Sequence, residues 1–157
     1  MNVSIRRATK RDYKSISELL QILHVLHVKN RDDVYLENDN ILTENQYMNI
    51  LKNDNKMIYV AINQDIVIGY ILSSMIKIDQ SSVCKKDKIL YIDEIIINNK
   101  YRRMGIGKRL IEYIKQKGND IGCKTVQVNV WSFNNCAIEF YKKNGFTTRN
   151  IRLESKL

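Results

Sequence analysis

The chain has no proline, and its 157 residues include only six glycines and three cysteines. Without proline or a glycine- and serine-rich tract there is no candidate interdomain linker. The length is that of about one domain, large enough to bury a core without staples. Cys84, Cys123 and Cys136 are too few and too scattered for a disulfide framework, so a reducing, intracellular setting is the default expectation. No apolar run approaches the roughly 20 residues that cross a bilayer. Residues 1–10 hold no apolar stretch of signal-peptide type. The expectation is one cytoplasmic domain over residues 1–157, with no membrane partner.

What is abundant is positive charge. Lysine and arginine number 26 against 17 acidic residues, a formal net charge of +9. An excess of this size favours an anionic ligand. The chain is also rich in Lys, Asn and Ile, residues with A/T-rich codons, so composition bias accounts for the charge equally well. The charge supports an anion site found on other grounds and does not locate one. A nucleic-acid-binding domain would use the same charge, but the aromatic-rich strand signature of the common RNA modules is missing.

Hydrophobic periodicity divides the chain. Residues 3–7 read as a short strand. Thr9 and Asp12 have capping-box spacing, and Ile16, Leu19, Leu20, Leu23 and Leu26 recur at helical intervals after them. Residues 31–40 are polar and acidic and read as a loop. Thr43 and Gln46 form a second capping box, with Leu42 and Tyr47 at the positions of a hydrophobic staple. Residues 56–62 and 66–78 read as a hairpin around Asn63-Gln64-Asp65. Residues 89–98 form a further strand whose Ile95, Ile96 and Ile97 are apolar on both faces, as in a covered sheet. A helix is expected over 105–117, a strand over 124–131 and a last helix over 134–143, with Asn144-Gly145 as a left-handed cap. Residues 147–157 alternate again and predict a closing strand. The order predicts a mixed, mostly antiparallel sheet flanked by helices, an α/β or α+β domain.

The segment from Ile95 to Leu110 carries the chemistry. A buried strand runs into a basic, glycine-containing turn that opens a helix. The first turn of a helix has free N–H groups and a dipole that favours negative charge, so this layout makes a pyrophosphate cradle. A P-loop needs four residues between its glycines, whereas one residue separates Gly105 from Gly107. A dinucleotide fingerprint needs a third glycine where Leu110 stands.

Arg102-Arg103-Met104-Gly105-Ile106-Gly107 resembles the Arg/Gln-x-x-Gly-x-Gly/Ala signature of the GNAT superfamily of acetyl-CoA-dependent N-acetyltransferases. A second block, from Asn134 through Ala137 and Tyr141 to Gly145-Phe146, is similar to that family's Asn-x-x-Ala-x-x-x-Tyr-x-x-x-Gly-Phe helix. The element order is similar from residue 3 to the end.

The resemblance implies direct transfer of acetyl from acetyl-CoA, a co-substrate, to a primary amine. No metal is expected, because a zinc site at His24 and His27 would need further ligands that the scattered cysteines do not supply. The resemblance assigns the pyrophosphate to Arg102, Arg103, Met104, Gly105, Ile106, Gly107 and Lys108, and the pantetheine arm to the strand edge at Ile95, Ile96 and Ile97. It assigns protonation of the leaving thiolate to Tyr141, which could otherwise be a core tyrosine. Asn134 would bond the cofactor arm, cap the helix, or do both. The amine must arrive neutral, so a base is needed; Asp93 and Glu94 are the candidates, in the reverse of the order common in relatives. Strand alternation expects only one of them to face the cleft, and either could instead be a structural carboxylate. Acidic residues Asp32, Asp33, Glu37 and Asp39 beside His24, His27 and Arg31 would suit a cationic acceptor, or be a solvated loop. The resemblance also allows a homodimer paired through residues 147–157. An acyl-CoA-binding regulatory module without turnover stands as the alternative.

Overall fold

The computed structural model describes residues 2–79, 82–83 and 85–157; Cys84 lies outside the described residues. Five strands form one sheet: β1 (Val3–Arg7), β2 (Lys56–Asn63), β3 (Ile66–Ile78), β4 (Asp87–Ile97) and β5 (Thr125–Val128), in the spatial order β1-β2-β3-β4-β5. Neighbours are antiparallel except β4 and β5, which run parallel. A parallel pair needs a crossover, and α3 (Ile106–Asp120) supplies it. The other helices are α1 (Tyr13–Asn30) and α2 (Glu44–Lys52) before the hairpin, and α4 (Asn135–Lys143) after β5.

The local signals were mostly realised. Gln64 and Asp65 both take positive φ, 48° and 65°, the two-residue turn whose twist matches a hairpin. Thr43 Oγ1 accepts from the Gln46 amide while Gln46 Oε1 takes the Thr43 amide. Tyr47 is fully buried and its hydroxyl donates to the Thr9 carbonyl at 2.7 Å, tying α2 to the start of α1. Gly145, at φ 81°, closes α4: its amide donates to Lys142 and the Phe146 amide to Tyr141.

Each face of the sheet buries a separate core. Ile58, Val60, Tyr70, Leu72 and Ile96 pack against Ile16, Leu19 and Tyr47 of α1 and α2. Tyr59, Ile68, Ile71, Leu90 and Ile92 pack against Ile106, Leu110, Ile111 and Ile114 of α3 and Tyr141 of α4, with Ile95 and Ile97 beside them. The triple isoleucine therefore does serve both faces.

The closing strand expected over 147–157 is absent. That segment is exposed and has no regular structure, with Ile151 78% and Leu153 87% accessible. Alternation marks a chain ready to pair, but it does not bring that chain to an edge, and the open side of β5 stays unpaired. Here the segment is tethered by the Arg31 Nη2–Glu154 Oε1 pair at 2.9 Å. The strand over 124–131 is shortened to Thr125–Val128, the four residues that pair with Ile89–Ile92 of β4.

Candidate active site

Two features of β4 build the site. The first is a β-bulge. Ser73 faces Ile92 and Leu72 faces Glu94, so Asp93 is the extra residue with no partner across β3. The second is a splay. β5 pairs with β4 only from Ile89 to Ile92, so residues 93–97 have β3 on one side and an open edge on the other.

The direction of the open groups follows from one bond. The Asn98 amide donates to the Ile68 carbonyl. In an antiparallel pair bonded residues alternate with unbonded ones, so Ile96 turns its backbone to β3 while Ile95 and Ile97 turn theirs outward. Arg102 Nε donates to the outward carbonyl of Ile97 at 3.1 Å. The open edge thus offers the backbone of Ile95 and the amide of Ile97; Ile96 is engaged elsewhere.

At the end of that edge the chain enters the basic turn. Arg103 and Gly105 take left-handed φ values of 61° and 78° and lead into α3, whose N-cap makes no side-chain bond. Arg103 is the strained member, since non-glycine residues seldom adopt this region. Among the described residues, the amides of Arg103, Met104, Gly105, Ile106, Gly107 and Lys108 find no acceptor. A side chain built at Gly105 would meet nothing within 4 Å. Six consecutive uncommitted donors at a helix start, beside open space, suit a diphosphate. Lys108 is exposed and 3.7 Å from Glu112.

Tyr141 projects from α4 between Phe140 and Phe146, at ring-centroid distances of 5.3 and 5.2 Å. Its ring is buried, and its hydroxyl makes no hydrogen bond among the described residues. Burial, with a smaller push from Tyr91, holds its pKa well above the ordinary phenol value. Such a group keeps its proton at neutral pH and has it to give. Asn134 is the N-cap of α4: its Oδ1 accepts from the Ala137 amide at 3.1 Å, and its NH₂ makes no hydrogen bond among the described residues.

The bulge overturns the expectation that only one of the paired acids would face the cleft. Tyr70 donates to Glu94 Oε2 at 2.6 Å, and Ser74 donates to Asp93 Oδ2 at 2.5 Å. Tyr70, Leu72 and Ser74 alternate onto the α1/α2 face of β3, so both carboxylates lie on that face. Burial raises the Glu94 pKa; the Tyr70 bond opposes this, the Asp93 charge adds to it and Lys56 offsets part of it. Tyr70 and Ser74 were not singled out from sequence. No local pattern marks them, since Leu72 stands between them on the same face and Ser73 is polar on the other.

The loop between α1 and α2 does not gather its acids. Asp33 is taken by a two-pronged bond from Arg31 at 2.8 and 2.9 Å, while Asp32, Glu37 and Asp39 are exposed. His24 Nε2 donates to the Leu36 carbonyl at 2.9 Å, and His27 stacks on Tyr35 at 5.0 Å. Burial, then the His24 charge, lowers the His27 pKa. Trp131 packs against Tyr35 and donates to its hydroxyl at 3.0 Å, with the Arg31 guanidinium 4.4 Å above its ring. Among the described residues no group of three or more His, Cys, Asp or Glu could hold a metal, and no helix is long and apolar enough to cross a membrane.

Residues 16–146 match the acetyltransferase (GNAT) family, and the chain belongs to it. It is 23% identical over 106 residues to glucosamine 6-phosphate N-acetyltransferase 1 of Dictyostelium discoideum, covering 67% of this chain and 66% of that protein. It is 30% identical over 60 residues to the thialysine N-epsilon-acetyltransferase of Bos taurus, covering 38% of this chain and 35% of that protein. The matched stretches thus span less than two thirds of these curated relatives. Among solved structures, a mutant of the BH1408 protein of Bacillus halodurans superposes with a TM-score of 0.95 at 23% identity, over 98% of this chain and 99% of that one. An aminoglycoside N-acetyltransferase in complex with CoA gives 0.75 at 18% identity, over 99% and 95%. The fold is therefore the mixed sheet with flanking helices that the element order predicted.

Proposed function

We propose that residues 1–157 form a single acetyl-CoA-dependent N-acetyltransferase domain that passes acetyl directly to a primary amine, either a small amine or an amine of a peptide or protein. The observation that carries this reading is the run of six unengaged amides from Arg103 to Lys108 at the end of an open strand edge. Relatives named as N-acetyltransferases of glucosamine 6-phosphate and thialysine support it.

In this reading the turn from Arg102 to Lys108 holds the diphosphate, with Lys108 adding charge. Ile95 and Ile97 receive the pantetheine amides as an added strand, and the Asn134 NH₂ bonds the same arm. An outward amide of this edge polarises the acyl carbonyl, the logic of an oxyanion hole. The bound thioester supplies an acyl group already activated for transfer. Glu94 or Asp93 removes one proton from the arriving ammonium, so that nitrogen regains its lone pair. A carbon–nitrogen bond forms as the carbon–sulfur bond breaks. Tyr141 gives its proton to the departing sulfur and recovers one from the acylated nitrogen. One proton is released per turnover. The setting we propose is the cytoplasm, with a homodimer as the working assembly.

Titration calorimetry with coenzyme A, followed by a thiol-release assay with acetyl-CoA and a panel of primary amines, tests the reading. Binding and amine-dependent thiol release are expected. Binding without release across the panel would instead make the chain an acyl-CoA-sensing module. No heat with coenzyme A would end both readings. A steep salt dependence of binding to DNA or RNA would favour the nucleic-acid alternative.

A further inference from the structure

Three strands bring Lys56 and Ser74, to which the reaction as set out gives no role, into one chain of contacts with Asp93. Lys56 on β2 lies opposite Ser74 on β3, and the bulge leans Asp93 of β4 onto the same point. Lys56 Nζ donates to Ser74 Oγ at 3.1 Å and stands 3.6 Å from Asp93 Oδ2. The Ser74 hydroxyl accepts from the ammonium and so turns its hydrogen to Asp93 Oδ2, at 2.5 Å. The neighbouring carboxylate is held in the same manner: Glu94 Oε2 receives the hydroxyl of fully buried Tyr70. Each acid therefore has one oxygen fixed by a hydroxyl of β3. The other oxygens, Asp93 Oδ1 and Glu94 Oε1, make no hydrogen bond among the described residues.

Stability does not account for the chain. The Lys56 and Asp93 side chains are 31% and 25% accessible, and ion pairs near the surface contribute little. Regular alternation would also have placed the two acids on opposite faces, and the bulge removes that separation. An ammonium brings three N–H donors, and a site with two fixed, half-engaged carboxylates can take more than one of them.

We infer that Lys56 and Ser74 are positioning residues that fix Asp93 so that its free oxygen receives an N–H of a cationic primary amine, while Glu94 removes the proton. This rests on the acetyl-transfer reading and names both the division of labour within the acidic pair and the charge of the acceptor. The proton passes from the ammonium nitrogen to Glu94 Oε1; Asp93 accepts a hydrogen bond and no proton. Among the described residues the groups acting on Glu94 are Tyr70 on β3, Asp93 on β4 and Lys56 on β2.

The test compares Lys56→Met, Ser74→Ala and Ser74→Thr with the parent protein. For the first two, kcat/KM toward a cationic amine should fall roughly tenfold to a hundredfold, as expected when a reacting group is misplaced, with coenzyme A affinity unchanged. Ser74→Thr keeps the hydroxyl and should recover most of the loss. Lys56→Met should also move the acidic limb of the kcat/KM profile to higher pH, because a positive charge near Glu94 is gone. Carbon-13 NMR titration of the Glu94 carboxyl should show the same displacement without any turnover. Variants that fold, with rates, acidic limb and Glu94 titration all matching an active parent, would overturn the inference and leave the acetyl-transfer reading standing. A parent that binds coenzyme A but acetylates no amine would overturn both. Should Lys56→Met fail to fold, the Ser74 pair decides: equal rates for Ala and Thr would overturn the inference.

Discussion

Tyr141 shows how the identity of a residue and its usefulness separate. The helix pattern places it on the apolar stripe of α4, where a core role would suffice. Packing then adds what the pattern lacks: Phe140 and Phe146 hold the ring on two sides, and the hydroxyl is left without a partner among the described residues. Phe146 is in place because Gly145 turns the chain back over the last helical turn. Tyr141→Phe is expected to lower kcat by about 100- to 10,000-fold, the range for losing a positioned acid, while coenzyme A affinity by calorimetry stays nearly unchanged. A fully active variant would remove the acid role. Gly69 is a second position where one atom matters. A Cβ there would lie 2.6 Å from Ile97 Cδ1 and 2.8 Å from the Ile96 carbonyl oxygen. The carbonyl belongs to β4 backbone and cannot swing aside. Gly69→Ala should therefore destabilise the fold by about 1–3 kcal/mol in urea melts and weaken coenzyme A binding, because relief requires moving the strand edge that ends at Ile97.

The entry to α1 is an element whose stability is tied to charge. Arg6 of β1 donates two bonds to Asp12, at 2.7 and 2.8 Å, and the Thr9 amide donates a third at 2.7 Å. Burial alone would raise the Asp12 carboxyl; the Arg6 and Thr9 bonds outweigh it and hold the pKa below the ordinary value. The unfolded chain therefore takes up a proton more readily than the folded one. The contribution is fully present above the ordinary carboxylate range, near pH 4, and is lost as pH falls through the lowered folded value. Asp12→Asn should reduce stability at neutral pH by about 1–3 kcal/mol. It should also flatten the acid side of a stability-against-pH curve measured by urea unfolding. A mutant curve parallel to the parent's would show that Asp12 titrates alike in both states. The capping box that Thr9 and Asp12 announced is thus real, but its partner Arg6 lies on another element and was not visible from spacing.

Across the whole molecule, the unfinished part is residues 147–157. Ile151, Leu153 and Leu157 alternate on an exposed segment, and β5, at the edge of the sheet, pairs on one side only. If the homodimer forms through this segment, as proposed, a protein ending at residue 148 should keep the parent's circular dichroism and nearly its melting temperature, since exposed positions carry little stability. Sedimentation should then show a dimer for the full chain and a monomer for the shortened one. A full chain that sediments as a monomer at high concentration would remove the dimer.

Periodicity and caps were enough to determine the helices, the hairpin, the two-faced isoleucine strand and the glycine turn, because those features depend on residues a few positions apart. Motif spacing was likewise enough to bring Arg102–Lys108 and Tyr141 forward as candidates. Tertiary structure alone decided the remainder. The bulge at Asp93 exists only as a register mismatch between two strands, so strict alternation could not foresee two acids on one face. Tyr70, Ser74 and Lys56 become neighbours of those acids through pairing across β2, β3 and β4, over separations that carry no local signal. Residues 147–157 had the pattern of a strand yet pair with no strand, although β5 leaves one edge open; alternation records a capacity for hydrogen bonding, and only a neighbouring backbone in reach can fulfil it.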